Sequence, residues 1–195
     1  NDTFLTGIYT IENRLSSTTG EAQRYGIDIL LKKRIGDYRA WASYTYSKNT
    51  VQYGDIQKNA FPESFDQRHR FNLSQTYTYN RLEFALGWTY GSGLPMTRLS
   101  TGTEEDIAAI RAINAINTDR LPAFHRLDAS TNFHFKNKGR WNGKVGISFR
   151  NLYNRNSTLT NRYSVTTDKN SNLFINAQYH NSLDFTVNAI GRISF

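Results

Sequence analysis

Residues 82–90 read Leu82-Glu83-Phe84-Ala85-Leu86-Gly87-Trp88-Thr89-Tyr90. Leucine and aromatic residues occupy every even position, and small or polar residues occupy every odd position. A period of two is that of a β-strand, because successive side chains point to opposite sides of the sheet. The stretch therefore predicts a strand with one apolar face and one polar face.

The same alternation recurs along the rest of the chain. It is less clear at residues 3–11 and clear in six further segments: 24–33, 38–47, 69–79, 125–135, 141–150 and 183–195. The chain thus holds about eight predicted strands, most of them near the roughly 9–11 residues that a tilted membrane strand requires. Several strands carry aromatic residues at the ends of the apolar face, such as Phe71 and Tyr79. Aromatic ends favour a membrane barrel over a soluble sandwich or barrel, which also alternates.

The predicted connections differ in length in a regular way. Short connections lie at 34–37, 80–81 and 137–140, whereas 48–67 and 91–124 are predicted to be long loops. Short periplasmic turns and long extracellular loops are typical of outer-membrane barrels. We therefore predict an all-β fold, an antiparallel transmembrane β-barrel segment of about eight strands.

Two further local features are predicted in the loops. A helix is predicted within 103–117, where Thr103 can cap it and three isoleucines share one face. It could act as a lid over the barrel mouth, although packing against neighbouring loops is the simpler interpretation. The last hairpin, 141–165 with 172–195, is longer than a membrane crossing and is expected to project outward.

Composition excludes several classes of protein. The chain has 195 residues, a net charge of +8, a mean hydropathy of −0.62 and no cysteine. Without cysteine it has no disulfide framework, redox pair or thiolate metal site. It shows no signal peptide and no apolar run near the roughly 20 residues of a membrane helix.

Charged residues of both signs occur on the predicted polar face. Charges facing lipid would be costly, so this face is assigned to the barrel lumen. There the charges could line a substrate path, hold a plug domain by ion pairs, or neutralise one another in a water-filled wall. The predicted lumen-facing residues are Asp28, Arg39, Arg70, Glu83, Asp128, Lys144, Arg150, Asp184 and Arg192.

Catalytic chemistry is not predicted, and the protein is not expected to be an enzyme. Ser64, Asp66 and the run 68–70 (Arg-His-Arg) could suggest a catalytic cluster, but adjacency along one strand does not supply the required geometry. His125 and His134 lack metal-ligand spacing and are interpreted as structural. No metal or other cofactor is predicted.

Six motifs, in this order and strand phase, resemble the C-terminal part of the barrel of TonB-dependent outer-membrane receptors, particularly those of Bacteroidetes type. They are Gly20-Glu21 with Tyr25-Gly26-Ile27-Asp28, Ser43-Tyr44-Thr45-Tyr46-Ser47, Phe65-Asp66-Gln67-Arg68-His69-Arg70-Phe71-Asn72, Thr89-Tyr90-Gly91-Ser92-Gly93-Leu94-Pro95, Leu121-Pro122-Ala123-Phe124-His125-Arg126-Leu127-Asp128, and Phe149-Arg150-Asn151-Leu152-Tyr153-Asn154. The resemblance covers nearly the whole chain and about the last third of such a receptor.

The resemblance implies active uptake of a scarce nutrient across the bacterial outer membrane, driven through TonB. The nutrient could be a siderophore, a vitamin, a glycan or a peptide. The implied partners are outer-membrane lipid, the rest of the barrel and its plug domain, and TonB acting through that plug. Residues 1–195 would thus be one C-terminal barrel portion, and they contain neither a plug domain nor a TonB box.

The final strand resembles the C-terminal signal that the outer-membrane assembly machinery recognises. Its signal positions are Phe185, Val187, Ile193 and the last residue, Phe195. Two alternatives remain open. One is a self-contained eight-stranded outer-membrane barrel with a structural or adhesive role. The more remote one is a soluble β protein that binds single-stranded nucleic acid, although aromatic and basic residues lie mostly on opposite faces here, and nucleic acid is not an expected partner.

Overall fold

The computed structural model describes residues 19–54, 57–98, 116–137, 141–167 and 173–194. Strands are the only regular elements in these ranges, which confirms the all-β prediction. No helix in the described part of the chain is long and apolar enough to cross a membrane. The strands are β1 (Glu21–Ile35), β2 (Tyr38–Tyr53), β3 (Gln57–Pro62), β4 (His69–Tyr79), β5 (Leu82–Gly91), β6 (Pro95–Met96), β7 (Asp119–Arg120), β8 (Phe124–Asn137), β9 (Trp141–Arg150), β10 (Thr158–Thr167), β11 (Leu173–Asn181) and β12 (Thr186–Ser194).

The main sheet has eight strands, in the order β1-β2-β4-β5-β8-β9-β12, with β3 paired to β2. Every pairing is antiparallel, and strands that follow one another along the path lie side by side. The sheet does not close on itself, so β1 and β12 form its two edges in the described part of the chain. This is the up-and-down path of a barrel wall.

The strand positions agree with the predictions, except within the two predicted long loops. In 91–124, the short strands β6 and β7 pair with each other. Residues 48–67 were predicted to be a single loop, yet β2 continues to Tyr53 and β3 pairs with it. Val51 and Phe61 face each other across this pairing and are both buried, so the contact extends the strand. The eighth strand of the sheet is therefore β3. The predicted strand at 3–11 lies outside the described residues, as does the predicted helix except for its last two residues, which form a turn.

The last hairpin extends beyond the main sheet, as its length predicts. Strands β9 and β12 pair within the sheet, and β10 and β11 continue as a separate two-stranded ladder. Short turns join β1 to β2 and β4 to β5, through Gly36 (φ +53°) and Asn80 (φ +54°). The strand ends that these turns connect are called the short-turn edge, and the strand ends at the opposite end of the sheet are called the loop edge. Both names refer to the ends of the strands and not to the edge strands β1 and β12.

One face of the main sheet, here called the apolar face, carries most of the large side chains. The register joins Ala42, Leu73, Trp88 and Leu127 in one row across four strands. Many of these side chains are exposed, and Ile27 and Leu31 are 63% and 66% exposed. An apolar surface this continuous is expected to contact lipid rather than water.

Aromatic rings gather toward both ends of the apolar face. Near the loop edge, the ring of Trp88 lies 6.1 Å from that of Tyr90 and 6.5 Å from that of His125. Near the short-turn edge, the exposed rings include Tyr77 and Tyr79. Paired aromatic bands are typical of transmembrane barrels, because these rings prefer the membrane–water interface.

Candidate functional site

The opposite face of the main sheet, here called the polar face, collects the predicted lumen-facing residues. Cross-strand pairs connect Asp28 to Thr45 and Thr45 to Arg70, and the pairing of neighbouring strands continues from β4 to β12. All the predicted residues within strands lie on this one face: Asp28, Arg39, Arg70, Glu83, Asp128, Lys144, Arg150 and Arg192. Asp184 differs, because it precedes the first residue of β12. That the polar face lines a lumen stays a prediction.

The carboxylates of the polar face already have partners. Arg126 Nε donates to both carboxylate oxygens of Asp128 at 2.9 Å. Asn132 donates to Glu83 at 3.1 Å, and Lys144 Nζ lies 3.9 Å from the same carboxylate oxygen. Asp28 accepts a hydrogen bond from the hydroxyl of Thr45. The cations outnumber these carboxylates, so the face carries an excess of positive charge.

A second arrangement lies at the loop edge and is centred on Asp66, whose side chain is fully buried. Its carboxylate accepts hydrogen bonds from the Asn49 amide at 2.7 Å, from Arg68 Nε at 2.6 Å, and from Arg120. Burial alone would raise the pKa of Asp66, but the hydrogen bonds and the Arg68 charge outweigh burial and lower it. Asp66 is therefore ionised at neutral pH. These four residues are called the Asp66 cluster.

Arg120 extends the Asp66 cluster to the stem of the long loop between β5 and β8, that is, the described residues at its two ends, 92–98 and 116–123. Its Nη1 donates to the backbone carbonyls of Asp66 and Gly93, at 2.8 and 3.0 Å. A Cβ atom on Gly93 would lie 1.5 Å from the Leu121 carbonyl oxygen, so only glycine permits this close approach. The arginine and the glycine together hold the two sides of the stem at a fixed spacing.

The same stem is anchored to the segment after β3. Buried Asn117 donates through its amide nitrogen to the Pro62 carbonyl at 2.8 Å, and its backbone N–H donates to Thr97 at 3.0 Å. The short pairing of β6 with β7 closes the stem. Three segments distant in sequence are therefore joined at the loop edge.

A third polar centre forms the corner where β9 leaves the main sheet. Asn151 is 1% exposed and adopts the left-handed backbone conformation, with φ +57°. Its side chain donates to the carbonyls of Arg155 and Leu183 at 3.0 Å and accepts from the Arg155 N–H at 3.1 Å. Its own N–H donates to Asp128 at 2.9 Å. Asn151 thus connects β8 to the segments after β9 and before β12.

His69 and His125 both contact aromatic side chains. The His69 ring lies 2.9 Å from the Tyr44 hydroxyl and contacts the ring of Tyr46. The Asp66 carboxylate is directed to its two arginines and the Asn49 amide instead. His125 packs between Trp88 and Tyr153, within the aromatic band at the loop edge.

Sequence reasoning did not predict the Asp66 cluster or the Asn151 corner as structural centres. Both fall in motifs that the sequence singled out, 65–72 and 149–154, but their partners come from positions far along the chain. The clearest local signal was a pair of asparagines in a turn segment, Asn151 and Asn154, both with positive φ. Asparagine is among the few residues that tolerate this conformation.

The predicted C-terminal signal is described in part. Phe185 stacks on Phe149 with the ring centroids 6.2 Å apart, and Val187 pairs with Phe149. Ile193 is exposed on the apolar face. Phe195 lies outside the described residues. Recognition by the assembly machinery stays a prediction.

An open antiparallel sheet with an exposed apolar face, aromatic bands and a charged opposite face defines an outer-membrane β-barrel wall. Residues 1–154 match the family described as TonB dependent receptor-like, beta-barrel. The chain belongs to that family, and it is located in the bacterial outer membrane. The family is one of transporters and receptors, while the Bacteroidetes subtype stays a prediction. Searches of curated proteins and of solved structures returned no match.

Proposed function

We propose that this chain forms part of the barrel wall of an importer that takes up a scarce nutrient with energy delivered through TonB. In this proposal, the polar face lines the aqueous lumen and the apolar face contacts lipid. The short-turn edge faces the periplasm and the loop edge faces the cell exterior. The observation that carries the proposal is that most charged side chains lie on one face and most large apolar side chains on the other, across seven paired strands, in a chain of the receptor family.

Partners follow from the two edges that the sheet has in the described part of the chain, at β1 and β12. Unpaired backbone groups are unstable in lipid, so β1 and β12 require neighbouring strands. We assign this role to the remaining strands of the receptor barrel. A plug domain would fill the lumen and transmit the action of TonB, and the assembly machinery would insert the barrel.

Thiol labelling tests the orientation of the two faces directly. The chain contains no cysteine, so it adds no background to single-cysteine variants of the full-length receptor. Ser74→Cys places a thiol on the polar face, and the neighbouring Leu73→Cys places one on the apolar face. In intact outer membranes, a charged, membrane-impermeant maleimide should label position 74 and leave position 73 unmodified. Labelling of position 73 alone would overturn the assignment.

Uptake assays test the transport activity and its energy source. Cells without the receptor and cells without TonB are compared with the parent strain for uptake of labelled ferric siderophores, vitamins, oligosaccharides and peptides. The proposal expects one class whose uptake is lost in both mutants. If no class depends on the receptor, or if that class does not require TonB, the transport proposal is wrong.

A further inference from the structure

Directly opposed basic residues occur at two places on the polar face near the short-turn edge. Arg34 is the cross-strand partner of Arg39, and Lys144 is the cross-strand partner of Arg192. Residues paired in this way have Cβ atoms about 4.5–5.5 Å apart, and like charges at that distance destabilise a sheet. These four residues are called the opposed basic pairs.

Carboxylates on the described part of the chain do little to neutralise these pairs. Arg34, Arg39 and Arg192 form no ion pair there. Lys144 approaches Glu83 only to 3.9 Å, and Glu83 already accepts a hydrogen bond from Asn132. Arg34, Arg39 and Arg192 are also exposed. The positive charge therefore faces the space in front of the wall.

Neutral residues occupy many comparable positions of the polar face, so the presence of two basic residues in each opposed pair calls for an explanation. The row that contains Arg34 and Arg39 continues across the sheet through small and hydroxylated side chains: Thr76, Ala85, Ser130 and Ser148. Neutral side chains would avoid the repulsion. An anion placed between the two cations removes it, because a guanidinium can donate two parallel hydrogen bonds to a carboxylate or phosphate and the Lys144 ammonium attracts the anion as a point charge.

We infer that the opposed basic pairs bind anionic groups, carboxylate or phosphate, of the solute that passes along the polar face. This inference rests on the proposed transport function and specifies its substrate class as an anionic solute. Each pair forms one contact point on the wall near the periplasmic exit. The alternative source of the same chemistry is a set of carboxylates from another part of the receptor that rests permanently against the wall.

Binding of tripolyphosphate to the full-length receptor in detergent tests the inference. Labelled tripolyphosphate is titrated by equilibrium dialysis, with neutral maltotriose as the uncharged comparison. Arg34→Gln combined with Arg39→Gln removes one opposed pair. Lys33→Gln is the matched control, because Lys33 pairs with Ala40 on the apolar face and removes the same charge from the adjacent position.

The expected result is saturable tripolyphosphate binding with one site at each opposed pair. The affinity of the site at Arg34 and Arg39 should fall about tenfold in the double variant, given the strength of charge-assisted hydrogen bonds, and should be unchanged in Lys33→Gln. Absence of saturable binding, or equal binding in the double variant, overturns the inference. The inference is also overturned if the natural receptor does not bind tripolyphosphate and the double variant unfolds at a lower temperature than the natural receptor. That result assigns the opposed basic pairs to ion pairs with the receptor's own carboxylates.

The thiol-labelling experiment separates this inference from the proposed function. If Ser74→Cys is labelled but tripolyphosphate does not bind, the polar face still lines a lumen and only the substrate class is wrong. If Ser74→Cys is protected while Leu73→Cys is labelled, the orientation of the wall is wrong. The inference then fails together with the proposed function.

Discussion

The guanidinium of Arg120 donates one hydrogen bond to the carboxylate of Asp66 and another, 2.8 Å long, to the backbone carbonyl of the same residue. The two residues are 54 positions apart in sequence. Because the Asp66 side chain is fully buried, this contact is shielded from solvent on the carboxylate side. It holds the stem of the loop between β5 and β8 against the segment before β4. The segments at the loop edge are therefore held to one another by hydrogen bonds and do not form independent loops.

Replacing Asp66 with asparagine should loosen this loop edge without unfolding the sheet. The variant keeps the side-chain shape but leaves Arg68 and Arg120 without a carboxylate. Both arginines are partly exposed, so we expect a local loss of about 2–3 kcal/mol, at the low end for a disrupted buried ion pair. Hydrogen exchange at the Leu121 amide, which donates to the Leu94 carbonyl at 2.9 Å, should accelerate.

Asp119→Asn provides the matched control for this prediction. Asp119 pairs with Arg98 in the same stem, at 2.7 Å, but both side chains are well exposed. An exposed pair of this kind contributes about 0–1 kcal/mol. Leu121 exchange should therefore change little in Asp119→Asn. Equal acceleration in the two variants would contradict the central role of Asp66.

The lowered pKa of Asp66 predicts acid sensitivity of the loop edge. A carboxylate with a lowered folded-state pKa contributes its full stability above the unfolded value of about 3.9. That contribution is lost as the pH falls from there through the folded-state pKa. The difference in Leu121 protection between the natural protein and Asp66→Asn should be constant near neutral pH and shrink below about pH 4. A difference that persists unchanged at pH 2 would show that ionisation of Asp66 is not its cause.

The strands could be predicted from the sequence because the alternation of apolar and polar residues in each strand reflects the different environments of its two faces. In β5, the alternation from Leu82 to Tyr90 fixes both the strand and its faces, and the structure ends this strand one residue later. The face shared by Asp28 and Arg70 follows in the same way, since the period of two is local. Long alternating strands of this kind can therefore be located from their own residues alone.

The loop edge could not be predicted, because its contacts join residues that are distant in sequence. Nothing adjacent to Asp66 indicates Arg120 as its partner, and Asn117 gives no local signal for the Pro62 carbonyl. The extension of β2 depends likewise on Val51 meeting Phe61, which requires the chain to turn back first. Such contacts are decided by tertiary packing, which periodicity does not report.

Asn151→Ala should destabilise the corner between β9 and β10 by about 3 kcal/mol or more. Alanine at φ +57° costs about 1–2 kcal/mol, and each of the partly buried backbone groups left unpaired costs up to about 1–3 kcal/mol. Asn151→Gly removes the same side-chain hydrogen bonds but tolerates the backbone, so it should be less harmful by about 1 kcal/mol. Urea unfolding of the receptor in detergent, followed by heat-modifiable gel mobility, measures both losses.

Asn80→Gly separates the backbone effect from the side-chain effect. Asn80 has φ +54° in the short turn between β4 and β5, where glycine is also compatible. Its stability should stay within about 0.5 kcal/mol of the natural protein. If Asn151→Gly were equally neutral, the hydrogen bonds from Asn151 to Arg155 and Leu183 would have no measurable role.

Arg70 and Leu73 test the two faces of one strand by their tolerance of charge. Arg70→Asp changes a charge on the polar face, which is expected to contact water, and should leave assembly in the membrane largely intact. Leu73→Asp places a carboxylate in the row formed with Ala42 and Trp88 on the apolar face. A charge in lipid costs about 2 kcal/mol or more near the bilayer centre, so assembly should fail or fall severalfold. The measurement is the yield of heat-modifiable receptor in the outer membrane, with Leu73→Met as the control for side-chain replacement. Equal yields of the two aspartate variants would show that the assigned phase of β4 is wrong.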